Sequence, residues 1–165
     1  MELNFKGKTV IVTGGSRGIG AAISLLFASC GANVMIGYLP IEKDIEGLNQ
    51  VRQKAKGLSG VIESLAADVT SPGDMDRLYE KTIERFRGLD ILINSAGFTV
   101  PAKAQDLTPE LWKSGIEVNL NGAFYVTQVV CQHMISQGSG RIIYIGSAGS
   151  ITGGGGSAAY SAAKA

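Results

Sequence analysis

Thr9-Val10-Ile11-Val12-Thr13-Gly14-Gly15-Ser16-Arg17-Gly18-Ile19-Gly20 begins as a β-branched run, breaks into glycines and opens a helical stripe, Ile19, Ile23, Leu26, Phe27 and Cys30. Gly31-Ala32-Asn33 ends the stripe, and Val34-Met35-Ile36 reads as a second buried strand. Strand, glycine turn, helix and strand in that order make a βαβ unit, whose strands pair in parallel. The uncharged stretch from Gly18 to Ile41 is long enough to suggest a membrane span. The break at Gly31-Ala32-Asn33 argues instead for a helix followed by a strand.

The alternation continues outward from this unit. Strand-like runs stand at Thr9 to Val12, Asn33 to Tyr38, Val61 to Leu65, Asp90 to Ile93 and Arg141 to Ile145, nearly all apolar, as suits strands covered on both faces. Helices are expected near Ile19 to Cys30, Lys43 to Lys56, Pro72 to Phe86 and Pro109 to Gln137. Ser71-Pro72-Gly73-Asp74 and Thr108-Pro109-Glu110 look like helix starts, with a capping hydroxyl followed by proline in the first turn, and Asp74 stands three residues past its cap. Gly153-Gly154-Gly155-Gly156 reads as one flexible turn. The expected fold is α/β, a doubly wound, Rossmann-like, mostly parallel sheet in one domain over residues 1–165.

Composition narrows the function classes. With 45% hydrophobic and 18% charged residues, the 165-residue chain can bury a core and is not a disordered tail. Fifteen Lys and Arg against fourteen Asp and Glu leave a net charge of +1, without the basic excess that nucleic-acid binding needs. Cys30 and Cys131 sit in apolar helix-like stretches and suit reduced core residues better than a disulfide framework or a metal site. Met1-Glu2-Leu3-Asn4-Phe5-Lys6 lacks the basic start and apolar run of a secretory signal. A cytoplasmic protein without metal, nucleic-acid or membrane partners is expected. The 23 glycines are about twice the usual share, so some backbone must turn tightly or approach something closely.

The glycine turn is where that requirement concentrates. Gly14, Gly18 and Gly20 would let backbone run against a pyrophosphate while the helix N-terminus supplies free N–H groups and its positive dipole. Their spacing differs from the dinucleotide pattern G-x-G-x-x-G. Gly7-Lys8-Thr9 fails as a P-loop, because the glycine required five residues before Gly7 is Glu2. Gly14-x-Ser16-x-Gly18 also fits a nucleophile elbow, which would make Ser16 the serine of a hydrolase. That site needs a downstream acid and histidine, and the one histidine, His133, reads as a surface group beside the C-terminal dipole of the fourth helix. The serine hydrolase and a catalytically silent nucleotide-binding module stand as competing readings.

Tyr160 and Lys164 are four apart, so on a helix they share one face. This composition yields about 0.3 such pairs by accident, and about 0.02 once a serine is required at position 147, thirteen residues before the tyrosine. With Thr13-Gly14-x-x-x-Gly18-x-Gly20, Asp68-Val69, Asn94-Ser95-Ala96-Gly97 and Asn119 in Val118-Asn119-Leu120-Asn121-Gly122, the chain resembles the short-chain dehydrogenase/reductase family over essentially its whole length. Gly140-Arg141-Ile142-Ile143-Tyr144-Ile145-Gly146-Ser147 is most similar to the 3-oxoacyl-acyl-carrier-protein reductases within it. Ser95 departs from the family's Asn-Asn-Ala-Gly and leaves a cross-sheet hydrogen bond unassigned.

The resemblance implies an NAD(P)-dependent oxidoreductase acting on a carbonyl or secondary alcohol, a 3-oxoacyl thioester or, in the alternative, an alcohol or sugar. It implies a homo-oligomer, dimer or tetramer. Cofactor binding falls to Gly14, Ser16, Arg17, Gly18, Ile19, Gly20, Tyr38, Asp68, Val69, Asn94, Ala96, Gly97, Tyr160 and Lys164, and catalysis to Asn119, Ser147, Tyr160 and Lys164. Ser147 would orient the carbonyl, Lys164 hold the nicotinamide ribose and Asn119 anchor a proton-relay water. The plainer readings make Asn119 a helix residue satisfied by backbone and Ser147 a loop hydroxyl.

The chemistry also follows from residue types. Hydride addition to a carbonyl leaves an alkoxide that needs a proton, and Tyr160 is the candidate acid. An ammonium about 4 Å away at an effective dielectric of about 20 favours the phenolate by about 4 kcal/mol, which gives Lys164 a reason to stand one turn on. NADP(H) is expected over NAD(H), because the acid that would bond the ribose hydroxyls is replaced by Tyr38, no carboxylate follows before Glu42, and Arg17 could face a 2′-phosphate. Family members are longer, so the chain reads as a C-terminally incomplete domain lacking the last strands and helices. Lys164 is then expected in a fraying turn with the Ala165 carboxylate competing for it, and Ile142 to Ile145 as an edge prone to pair with other chains.

Overall fold

The computed structural model describes residues 3–154 and 156–165. Met1 and Glu2, on which the expectations of no secretory signal and no P-loop partly rest, and Gly155 of the glycine run lie outside them. Five strands, β1 (Thr9–Thr13), β2 (Asn33–Tyr38), β3 (Val61–Ala66), β4 (Ile91–Asn94) and β5 (Arg141–Tyr144), pair in parallel in the order β3-β2-β1-β4-β5. Thr9 stands opposite Asn33 on one side of the sheet's centre, and Val10 opposite Ile91 on the other. The order reverses direction between β1 and β4, so a crevice opens there at the carboxyl ends of the strands.

The strands are covered on both faces because their residues alternate between two cores. Val10, Val12, Val34, Ile36 and Ile93 pack with Ala28 of α1 (Gly18–Ser29) and with Leu48 and Val51 of α2 (Glu42–Lys54). Ile11, Met35 and Leu92 face the other way, onto Met75 and Leu78 of α3 (Pro72–Phe86) and Val126 and Val130 of α5 (Gly122–Ser136). Each fully buried aliphatic side chain contributes about 1.5–3 kcal/mol. In the stretch read against a membrane span, α1 has 12 residues, about 18 Å, and β2 follows it. Among the described residues no helix is long and apolar enough to cross a membrane.

Both proline-led caps form. Ser71 Oγ accepts from Asp74 N and Thr108 Oγ1 from Leu111 N. Asp74 departs from a reciprocal capping box by accepting, through Oδ2, from the N–H of Asp68 at 2.9 Å, which ties the loop after β3 to α3.

The long fourth helix is interrupted. α4 (Pro109–Ile116) passes through a π turn, Glu117–Asn121, into α5. Glu117 braces the wide turn by accepting from Asn121 Nδ2 at 2.6 Å and Tyr125 Oη at 3.1 Å, whereas Asn119 donates to Gly115 O at 2.9 Å. Short α6 (Gly149–Thr152) was not expected, and Gly153 ends it in the left-handed region at φ 70°, so the glycine run is not simply one flexible turn. α7 (Ala158–Lys164) follows, capped by Ser157 Oγ on Tyr160 N.

Candidate active site

A cleft of about 880 Å³ runs along the carboxyl ends of all five strands. At one end the glycine turn forms its floor. Gly14 lies at φ 65°, where a Cβ would meet Ala96 Cα at 2.9 Å, and a Cβ on Gly20 would stand 2.3 Å from Gly14 O. The turn can therefore fold onto the start of α1 only with glycine at these positions. Neither a side-chain cap nor a first-turn acid occupies the α1 N-terminus, and Ser16 Oγ is buried beside it without a partner among the described residues. Unclaimed N–H groups, a positive helix end and an orphan hydroxyl suit an anionic group such as a pyrophosphate.

The expected cofactor residues fall largely along this cleft. Gly14, Ser16, Arg17, Gly18, Ile19, Gly20, Tyr38, Asp68, Val69, Ala96, Gly97, Tyr160 and Lys164 all line it. Asp68 is fixed in the loop after β3, its Oδ1 accepting from Thr70 N and Thr70 Oγ1, both at 2.9 Å. Asn94 is the exception. It is buried and donates to Thr127 Oγ1 at 3.3 Å, so its amide joins β4 to α5 instead of facing the cleft. The cross-sheet bond left open by Ser95 is made by backbone, with Thr13 Oγ1 accepting from Ser95 N and Ala96 N at 3.2 Å each. A serine side chain in place of asparagine therefore costs that link nothing.

At the other end stand Tyr160 and Lys164, one turn apart on α7 and both lining the cleft. The expected direct contact between phenol and ammonium gives way to another arrangement. Lys164 Nζ donates to Ile145 O at 3.1 Å, and Tyr160 Oη has no hydrogen-bond partner among the described residues. No carboxylate, that of Ala165 included, pairs with Lys164 among the described residues, so the expected competitor is not engaged. Half-burial pushes the Lys164 pKa below the ordinary lysine value by desolvation.

Asn119 lies beneath the cleft wall. Its Nδ2 donates to Phe98 O at 2.8 Å and to Gly115 O, whereas its Oδ1 is buried with no partner among the described residues. A Cβ on Gly97 would sit 2.7 Å from that Oδ1 and 3.4 Å from Lys164 Nζ. An unpaired acceptor and an ammonium with protons to spare thus face the same small space, which glycine leaves open. Ser147 does not line the cleft; its Oγ accepts from Gly149 N at 3.1 Å at the start of α6.

The nucleophile-elbow reading loses its base. His133 is not the surface group expected. Packing of α3 on α5 holds its Nδ1 3.1 Å from Tyr79 Oη and buries Nε2, leaving Ser16 Oγ without a histidine partner. Sequence reasoning missed Asp44, which lines the cleft, and Gly47, whose missing side chain brings α2 against the glycine turn. Asp44 stands three residues beyond Ile41 in a charged helix start, Glu42-Lys43-Asp44, and the packing of α2 on the glycine turn at Gly47 brings it to the cleft.

Crevice, glycine turn and tyrosine–lysine helix stand together on a doubly wound, parallel α/β sheet. The family model described as short chain dehydrogenase matches residues 8–165, and the chain belongs to that family. It is 37% identical over 163 residues to the 3-oxoacyl-[acyl-carrier-protein] reductase FabG of Thermotoga maritima, covering 99% of this chain and 65% of that protein. It is 32% identical over 164 residues to the NAD-dependent glycerol dehydrogenase of Listeria innocua, covering 99% of this chain and 62% of the relative. The crystal structure of a dehydrogenase/reductase from Sinorhizobium meliloti 1021 superimposes with a TM-score of 0.87 at 32% identity, over 99% of this chain and 63% of that one. The chain thus spans somewhat less than two thirds of the length of these relatives.

Proposed function

We propose that this chain forms the cofactor-binding and catalytic part of a cytoplasmic, homo-oligomeric reductase that moves a hydride between NADP(H) and a carbonyl or secondary alcohol, with a 3-oxoacyl thioester as the favoured substrate. The observation that carries the reading is the continuity of one cleft from the glycine turn to Tyr160 and Lys164. The nicotinamide supplies the hydride when bound. Gly14, Ser16, Gly18, Ile19 and Gly20 would hold the pyrophosphate, Asp68 and Val69 the adenine side, and Ala96 and Gly97 the middle of the cofactor. Tyr160 would give the proton to the developing alkoxide. Lys164 would hold the ribose, and the space between its ammonium and Asn119 Oδ1 suits a water that resupplies the proton. Ser147 would orient the carbonyl after its hydroxyl turns from Gly149 to the substrate.

A second reading, an NAD(H)-dependent dehydrogenase of an alcohol or polyol, draws support from the similarity to the Listeria enzyme. Fluorescence titration with NADPH and NADH, followed by oxidation of each nucleotide with a 3-oxoacyl thioester or glycerone, tests both. NADPH binding with thioester-dependent oxidation supports the first. Binding of NADH alone, or oxidation with glycerone only, supports the second, and binding of neither nucleotide removes both.

A further inference from the structure

We propose that Asp44 is a specificity-determining residue of the cleft, seating Arg17 so that its guanidinium faces the 2′-phosphate of the adenosine ribose. The inference rests on the NADP(H) reading and names the residue that sets it. Arg17 stands at the N-cap of α1 with extended backbone, φ −151° and ψ 173°. Its Nε donates to Asp44 Oδ1 at 2.6 Å, across from α1 to α2. The Arg17 side chain is 48% exposed and that of Asp44 only 10%, and both line the cleft.

Three features make this a built seat. A Cβ on Gly47 would stand 2.6 Å from Ser16 O and 3.1 Å from Arg17 Cβ, so α2 lies directly on the glycine turn. Asp44, one turn earlier on α2, is thereby brought under the guanidinium. The contact uses Nε alone, which leaves the two terminal nitrogens without partners among the described residues and free to meet a phosphate as a fork. The other residues after β2, Leu39 and Ile41, are apolar, and of the described cleft residues only Arg17 and Lys164 are cations, the latter at the tyrosine end. Recognition of a 2′-phosphate therefore falls on one guanidinium.

Asp44 acts on it in two opposed ways. Its charge repels a phosphate, and its hydrogen bond removes the rotamer freedom that a loose arginine gives up on binding. A carboxylate already neutralised by a guanidinium in contact repels weakly, so orientation is the larger effect. Asp44 is accordingly a positioning residue, acting through Arg17.

Isothermal titration of the chain with 2′,5′-ADP and with 5′-ADP reads this without turnover. The wild type should favour 2′,5′-ADP about tenfold or more, and Arg17→Ala should abolish the preference. Asp44→Ala, which removes the acceptor from Arg17 Nε, should cut the preference about fivefold while 5′-ADP affinity stays within about twofold, and should add nothing to Arg17→Ala. Asp44→Glu, which keeps a carboxylate able to accept from Nε, should recover part of the loss. An undiminished or increased preference in Asp44→Ala, or equal weakening of both probes, overturns the proposal and leaves the NADP(H) reading standing. A wild type without preference, or one that binds neither probe, overturns the NADP(H) reading and this proposal with it. Should Asp44→Ala fail to fold, Asp44→Glu decides: a preference below that of the wild type supports positioning by contact geometry, and one equal to the wild type or above it overturns the proposal.

Discussion

The two ends of the cleft are built differently. At the glycine-turn end, β1 and β2 are buried along almost their whole length, glycines are closed over by backbone, and Arg17 and Asp68 are held by partners. At the tyrosine end, β5 keeps Ile143 40% and Tyr144 55% exposed, and Asn119 Oδ1 lacks a partner among the described residues. Both ends leave a buried polar atom unclaimed among the described residues, Ser16 Oγ at one and Asn119 Oδ1 at the other; what differs is how tightly the strands beneath are packed.

The sharpest break of this comparison is mutational. Ile36→Ala in β2 removes a side chain with no exposure and should destabilise the fold by about 2–5 kcal/mol. Ile143→Ala in β5 should cost less than about 1 kcal/mol, because the same side chain there is already partly in water. Urea denaturation of both variants checks the pair, and equal losses would show that the ends are equally packed.

Gly20→Ala comes next. Its Cβ would stand 2.3 Å from Gly14 O, a backbone atom that moves only with the turn. Overpacking of this kind costs about 1–3 kcal/mol, and nucleotide affinity should fall with it. Gly146→Ala at the other end meets nothing within 4 Å and should leave both nearly unchanged. Thermal unfolding and NADPH titration of the two variants separate close approach from mere abundance of glycine.

The exposed edge gives a smaller effect. β5 pairs with β4 on one side only and shows an apolar Ile143 and Tyr144 to solvent, so the 165-residue chain should associate with itself as concentration rises. Ile143→Lys should shift size-exclusion elution back toward the monomer. Unchanged elution would place any self-association elsewhere.

Much of this was legible beforehand, for reasons that differ by region. The strands and both proline-led caps show in the chain because burial on two faces and capping geometry are local demands, as at Val10 to Val12 and Ser71-Pro72. Tyr160 and Lys164 were legible because one helical turn fixes their relation. The turn of the Asn94 amide toward Thr127 was not legible, because that partner is 33 residues away on α5. Asp44 escaped notice and His133 was placed at the surface for the same reason, since their surroundings come from helices that meet only in the folded chain. The π turn left no signal, because Glu117, Asn121 and Tyr125 fit an unbroken helix equally well.

The finest test uses two groups whose pKa values both fall for opposite physical reasons. At the glycine-turn end, the Asp68 N–H, with smaller help from Ser71 and Arg77, holds the Asp74 carboxyl below its ordinary value against a modest desolvation. Its folded pKa is lower than its unfolded one, so Asp74 contributes stability above the ordinary carboxylate range and loses it as pH falls through the folded value. Asp74→Asn should therefore flatten the acid limb of stability and loosen the loop that carries Asp68. At the tyrosine end, desolvation alone lowers the Lys164 pKa. Burial of its charge opposes folding at neutral pH, and that opposition fades as pH rises from the folded value to the ordinary lysine value. Lys164→Met, which keeps the stem but not the charge or its bond to Ile145 O, should match or slightly exceed wild-type stability near pH 7 and lose that margin in strong alkali. Denaturation midpoints of the two variants across the pH range read both slopes. A Lys164→Met chain that is clearly less stable at pH 7 would mean that the ammonium–carbonyl bond outweighs desolvation.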